Sequence, residues 1–458
     1  MWERVKLDMF GKMSFTPRLA PMILAALTPK EHVFTYLDED IEEIDYEEID
    51  ADLVAITAMT IQAERAYRIA DKFRSIGIPV IMGGIHASSC PQEVTQHVDA
   101  VCIGEAENYW IELLEDVKNG SLKKFYSGKE YCEVTEIPIP KIDIVNHELY
   151  SAFPLQATRG CPNSCEFCCI KLSSGNKYRK KPIEQVVAEI KEFEKYNNGP
   201  FKKRYYFNDD NLYVDRAYTL DLFNKIAPLN IQWMGMGSID IVQDEEVLTA
   251  IARSGCRIFY IGFESISEES LKEAKKNNSV EKYSEVAERL IKHGIIPGGF
   301  FVFGFDNDDE GIFHRTTDFT IQNHIIFPFF NILTPYPGTP LYERLKDKLI
   351  DYNWNHYSSL KCVYQPGKLT PAQLEAGIYE ASYKVAKLEI IKNHMKHFWS
   401  HGPWENNPRL KLSERLLLLI VAIKMRRRAE ARRFLVWSAF QRDAVDVNQV
   451  ITSVFYIL

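Results

Sequence analysis

The array Cys161-Pro-Asn-Ser-Cys165-Glu-Phe-Cys168 constrains this chain more than any other feature of its 458 residues. Nine cysteines are too few for a disulfide scaffold at this length. Three of them crowded into eight residues point instead to a metal held in a reducing compartment. Three thiolates can hold three irons of a [4Fe–4S] cubane and leave the fourth iron open to a small molecule. The competing reading is structural zinc, which requires four closed ligands, usually as two separated pairs. Cys169 is the nearest fourth thiol, yet adjacent cysteines rarely both reach one tetrahedral ion. The array follows a strand-like segment and Arg159-Gly160 and precedes a helix, so it is expected on a loop at a strand's carboxyl end.

Strand and helix signals alternate on both sides of that loop. Ahead of it, residues 53–57, 79–82 and 100–103 read as short buried strands, the last two closed by Gly83-Gly84 and Gly104-Glu105. Helical spacing over 65–76, stopped by Gly77, and a second helical stretch after Pro91 lie between them. This order predicts a parallel, doubly wound sheet whose ligands sit beyond the strands' carboxyl ends. Residues 106–150 are charged and Pro-containing and read as a connector. Beyond them, strands are expected at 205–207, 231–234, 258–262, 299–304 and 329–333, with helices such as 183–196 and 279–293 between. Six such units suffice for a partial (β/α)6 barrel. After residue 346 the strand signals stop, and 372–397 and 413–440 read as helices. The expected fold class is therefore α/β: a Rossmann-like domain over 1–145, the partial barrel over 146–345 and a helical domain over 346–458.

Composition narrows the function. With 46% hydrophobic and 26% charged residues the chain is an ordinary globular one, and a net charge of −8 argues against a general nucleic-acid binder. The first residues lack the apolar core of a secretory signal, and no uninterrupted apolar run approaches the roughly 20 residues that span a bilayer, so a cytoplasmic location is expected. The stretch 416–423 is apolar and 424–433 strongly basic. It reads as a helix packed on the core with a solvated basic end; the alternatives are peripheral attachment to an anionic membrane and, more weakly, RNA.

With the cysteines in place, residues 152–345 resemble the radical S-adenosylmethionine superfamily. Phe167 fills the aromatic position before the third cysteine of that family's signature. Asn208-Asp209-Asp210-Asn211, Gly262-Phe-Glu264-Ser265 and Thr334-Pro-Tyr336-Pro-Gly-Thr-Pro fall in order at the ends of expected strands. The resemblance implies that Phe167, Asp209, Asp210, Ser238, Glu264, Ser265, Thr334 and Tyr336 bind S-adenosylmethionine. A plainer reading makes the two aspartates helix caps and Glu264 a surface acid. The resemblance also implies the chemistry: S-adenosylmethionine chelates the open iron, an external one-electron reductant drives C–S cleavage, and a 5′-deoxyadenosyl radical results. The protein's part is orientation and exclusion of water.

Residues 20–105 resemble the cobalamin-binding domain that precedes the radical core in one branch of that superfamily, through Ala51-Asp-Leu-Val-Ala-Ile-Thr57-Ala-Met-Thr60, Ile81-Met-Gly83-Gly84-Ile-His86 and Ile103-Gly104-Glu105. This implies a corrin against Thr57, Thr60, Gly83, Gly84, Gly104 and Glu105. Two departures stand out. The opening buried strand of such domains is expected to be missing, and no Asp-x-His-x-x-Gly loop supplies a lower axial histidine. His86 is expected on a loop rather than on cobalt. The leading reading is a cobalamin-dependent C-methyltransferase acting on a lipid, tetrapyrrole or natural product. The alternatives are a cobalamin-independent radical cyclase, oxidase or rearrangement enzyme and, in another class, a non-catalytic protein stabilised by metal.

Overall fold

A computed structural model describes residues 14–128, 130–197 and 204–403. The stretches 413–440 and 416–433 singled out above therefore lie outside the described residues. The first sheet is parallel, with strands β1 (Val54–Thr57), β2 (Val80–Gly83), β3 (Ala100–Ile103) and β4 (Phe125–Ser127) in that order. The apolar runs of β2 and β3 are buried because helices such as Ala63–Ser75 cover the sheet. That helix stops where expected, with Gly77 taking a positive φ of 86°.

The second sheet has six parallel strands: β5 (Ala152–Leu155), β8 (Arg204–Phe207), β9 (Trp233–Gly237), β10 (Cys256–Glu264), β11 (Ile296–Phe303) and β12 (Phe327–Ile332). They lie side by side in chain order, joined by helices that include Ile183–Glu194, Arg216–Ile226, Glu245–Arg253, Tyr283–Lys292 and Gly311–Gln322. This is the partial (β/α) barrel. Between β5 and β8, a short antiparallel pair, β6 (Thr158–Arg159) and β7 (Arg179–Lys180), closes the base of the excursion that carries the cysteines.

Side-chain alternation divides the six-stranded sheet into two faces. Tyr205, Phe207, Trp233, Phe259, Ile261, Phe301, Phe303 and Phe330 are buried under the helices in the main core. Trp233 is fully buried within it: its ring stacks on Phe223 at 4.8 Å, and its indole N–H donates to Ser254 Oγ at 3.0 Å. The other face carries Tyr206, Met234, Met236, Ile258, Tyr260, Phe300 and Phe329, which cluster with Phe398 and Trp399 of the helix Leu388–His401. That helix reaches the strands' amino ends, beside Ile326 and Phe327. It is pinned by His394, whose Nδ1 lies 3.2 Å from Nδ1 of His324.

Three expectations change. The supposed connector at 106–150 contains the helix Trp110–Lys118 and β4, which is too short, at three residues, to show a period. The third barrel strand runs later than 231–234, to Gly237. Gly235 and Gly237 look like breakers but fit a strand pressed against Leu212 and Phe259. The helix expected over 372–397 is two helices, Pro371–Val385 and Leu388–His401. Of these, Leu374, Ile378, Ala381 and Val385 join the barrel's own core.

Among the described residues no helix is long and apolar enough to cross a membrane. Replacing Trp233 with Ala removes a fully buried ring and is expected to cost about 3–5 kcal/mol, read as a lowered denaturation midpoint with unchanged slope.

Candidate active site

The cysteine loop leaves β6 through Gly160, whose φ of +87° and closeness to Lys177 O, 2.3 Å from where a Cβ would sit, admit only glycine. Asp209, at the carboxyl end of β8, anchors the base of the loop. Its buried carboxylate accepts hydrogen bonds from Ala157 N, Thr158 N and Thr158 Oγ1. Burial pushes this carboxyl up to about 7 against those three donors. Asp210 accepts from Gly160 N at 2.8 Å, and Asn211 Nδ2 lies 3.9 Å from Cys161 Sγ. Farther along, Glu166 N donates to Ala274 O, and the Glu166 carboxylate pairs with Arg344 at 3.1 Å.

Cys161, Cys165 and Cys168 are half-buried on this loop, and all three are free thiols. Burial pushes Cys168 up to about 12 and raises Cys165, and Cys161 is near enough to both to add to the rise. Cys169 is pushed up to about 11 by burial. Three free, half-buried thiols on one loop are the donor set that a cubane takes, one thiolate on each of three irons.

Glu264 sits at the end of β10 with a φ of 65°, a left-handed backbone unusual for a residue with a side chain. It pairs with Lys276 at 3.1 Å. Burial works against charge on Lys276, yet Glu264, Cys165 and Cys168 together raise its pKa above the ordinary lysine value. Sequence reasoning missed Lys276, because Lys-Lys-Asn-Asn-Ser looks like a solvated turn. The other expected residues gather less tightly. Ser238 Oγ donates to Asp240 at 3.2 Å, Ser265 Oγ accepts from Ser267 N, and Thr334 Oγ1 donates to Ile332 O. The Tyr336 hydroxyl, pushed up to about 12 by burial, lies 3.0 Å from Ser359 Oγ. Phe167 packs against the main core.

Between the two sheets lies a cleft of about 2240 Å³. Thr57, Gly83, Gly84, Gly104 and Glu105 line it from the first sheet, and Gln156, Arg159 and Asn208 from the barrel. Gly104 has no heavy atom within 4 Å of where a Cβ would project, which leaves its wall open to a large ligand. These features fit a corrin. Thr60, also expected at the corrin, is buried behind the cleft lining rather than in it. Glu105 is engaged elsewhere: it takes a two-pronged bond from Arg179 at 2.6 and 2.7 Å, lies 3.3 Å from Arg159, and accepts from Cys132 N at 2.7 Å. His86, expected on a loop, lies within the helix Ile85–Ser89, fully buried, with Nε2 2.7 Å from the Tyr67 hydroxyl.

A parallel-sheet domain feeding a half-barrel with a three-cysteine loop is an architecture shared with known proteins. Residues 155–320 match the Radical SAM superfamily and residues 17–114 the B12 binding domain. The chain is 34% identical over 382 residues to bacteriochlorophyllide d C-12(1)-methyltransferase of Chlorobaculum tepidum, covering 82% of this chain and 84% of that one. It is 32% identical to the C-8(2)-methyltransferase of the same organism, over 80% and 83% of the two chains. The fold also matches the radical S-adenosylmethionine methyltransferase TsrM from Kitasatospora setae with cobalamin and a [4Fe–4S] cluster bound, at a TM-score of 0.60 and 15% identity over 84% of this chain and 89% of that one. The chain belongs to the radical S-adenosylmethionine superfamily, among the methyltransferases that carry a B12-binding domain. It is accordingly an enzyme of the radical C-methyltransferase type, with the cluster and S-adenosylmethionine as cofactors.

Replacing Glu105 with Gln leaves the buried Arg179 guanidinium without its carboxylate partner, while Arg159 keeps Glu107 at 2.8 Å. The expected cost is about 3–5 kcal/mol, seen as faster proteolysis between the two sheets. Burial raises the Glu105 pKa, but Arg179 and Arg159 outweigh it and hold the carboxyl below its ordinary value of 4.5. The wild-type contribution is therefore full above pH 4.5 and falls away as pH drops through the lowered folded value. The Gln variant is expected to lose that part of the acid dependence.

Proposed function

We propose that the chain transfers a methyl group to an unactivated carbon of a tetrapyrrole-class small molecule, with cobalamin held in the cleft between the two sheets. The observation that carries this reading is adjacency: Arg159 lines the cleft and stands two residues before Cys161. The relatives named above, which act on bacteriochlorophyllide d, support the substrate class. When bound, the cluster with S-adenosylmethionine supplies one-electron C–S cleavage, and cobalamin supplies a transferable methyl group.

The chain's own residues set the geometry. Asp209 and Asp210 fix the loop by its backbone N–H groups. Glu264 and Lys276 place one negative and one positive group beside the cysteines, suited to the amino and carboxylate ends of an amino acid. Gly104 leaves the opposite wall open, while Gly84 lets its own backbone pack against Ala58 and Thr57 at the strand end. An external one-electron reductant is required. The basic stretch 424–433 supports peripheral attachment to an anionic membrane, which predicts sedimentation with anionic vesicles that weakens as salt is raised.

Anaerobically reconstituted protein is expected to carry a [4Fe–4S] signal altered by S-adenosylmethionine, and Cys165→Ala to abolish both signal and turnover. Hydroxocobalamin is expected to stay bound in a one-to-one complex through gel filtration. If the corrin washes out while 5′-deoxyadenosine still forms, the cobalamin-free enzyme is the correct reading.

A further inference from the structure

The inner face of the six-stranded sheet changes character along its depth. At the carboxyl edge stand Glu264, Lys276 and the cysteine loop. Below them, Phe300 of β11 is in register with Phe329 of β12, and the two rings stack at 5.4 Å. Tyr260 closes on both, at 5.6 and 5.7 Å. Its ring occupies the space left by Gly298, where an added Cβ would come within 2.1 Å of Tyr260 Cδ1. Met236 lies beside Tyr260 in register, and Tyr206 carries the surface on to β8, where Phe15 meets it edge-on at 5.4 Å.

Two features set this surface apart from an ordinary core. First, Tyr206, Met236, Phe300 and Phe329 keep partial exposure, while Tyr205, Phe207, Phe301 and Phe330, the neighbours facing the helices, are buried. Second, the Tyr260 hydroxyl is buried without a hydrogen-bond partner, a penalty that a ligand acceptor would relieve. Phe398 and Trp399 of the helix Leu388–His401 join the same cluster at the strands' amino ends and give the half-barrel a floor.

We infer that this aromatic cup is the specificity determinant of the methyltransferase, and that it takes a flat conjugated ring system stacked on Phe300 and Phe329. The inference rests on the function proposed above and adds the residues that read the substrate. A planar π-face gains both buried area and offset stacking on such rings, whereas a polar amino-acid-like substrate would leave its groups unpaired. The cup is continuous with the Glu264 edge, so a ring seated on Phe300 and Phe329 is held beneath the cysteine loop and shielded from water by the floor helix.

The test uses the full-length reconstituted protein and zinc protoporphyrin IX as a fluorescent planar probe. Saturable binding is expected, competed weakly by a saturated pentacyclic triterpenoid and not by L-tryptophan. Phe300→Leu and Phe329→Leu keep apolar volume but lose the π-face, and each is expected to raise the probe's Kd about five- to tenfold. Tyr352→Leu, on an exposed side chain remote from the cup, is the control and is expected to leave it unchanged. Circular dichroism and iron content of the same samples confirm that the leucine variants fold. Three results overturn the inference: no saturable binding to wild type, wild-type affinity in both folded leucine variants, or stronger displacement by the saturated triterpenoid. Cluster and cobalamin signals, measured separately, report on the proposed function, so either reading can fail alone.

Discussion

The buried ion cluster of Glu105 with Arg159 and Arg179 is the joint on which both halves of the site depend. Glu105 follows β3 of the first sheet, Arg159 ends the strand that enters the cysteine loop, and Arg179 begins the strand that leaves it. Cys132, from the connecting segment, adds its backbone N–H to the same carboxylate. Glu107, 2.8 Å from Arg159, makes the cluster two carboxylates and two guanidiniums. Burying four charges costs several kcal/mol per ion, so the cluster does little for net stability. Its effect is positional. Any sliding of one sheet on the other leaves a desolvated charge unpaired, and that penalty holds the cleft in register with the cysteine loop.

Much of this was legible in the sequence, for identifiable reasons. The apolar runs at β2 and β3 are continuous because both faces of those strands are covered, and those at β10 and β11 because one face packs under helices and the other carries an aromatic surface; continuous runs are easy to see. The cysteine spacing gave the loop, and Arg159-Gly160 placed it after a strand. What escaped detection was held by contacts distant in sequence. β4 exists because three residues complete the edge of a sheet already formed, and Lys276 matters because a turn brings it to Glu264. Glu105 looked like a ligand-facing strand end. Its partners lie 54 and 74 residues farther along, so no local pattern could reveal that it was already engaged.

The two aspartates after β8 show how one dipeptide divides structural labour. Asp209 points back under the loop and satisfies two backbone N–H groups and a hydroxyl, while Asp210 holds Gly160 at the point where the backbone takes its left-handed turn. Both therefore act on the cysteines through the backbone. Glu264 differs: its own backbone is strained, and its side-chain partner is a buried lysine shared with the thiols. Strain of this kind costs on the order of 1–3 kcal/mol and persists only where the surroundings over-determine it. The Asn278 amide, donating to Gly262 O and Phe263 O, supplies part of that constraint.

Parallel topology explains why these pieces meet. In both sheets every strand runs the same way, so all the carboxyl ends, with their loops, fall on one edge. The ion joint turns the two edges toward a common cleft, and the glycines of the first sheet face the barrel residues beside the cysteines. The opposite end of the barrel is covered by the helix Leu388–His401, pinned by His324 and His394. A half-barrel is open along its side, so a floor is what lets it keep a reactive species from solvent at one end while admitting two ligands at the other. Radical chemistry on an unactivated carbon needs that asymmetry, because water and stray hydrogen donors must be kept out while the substrate stays within reach.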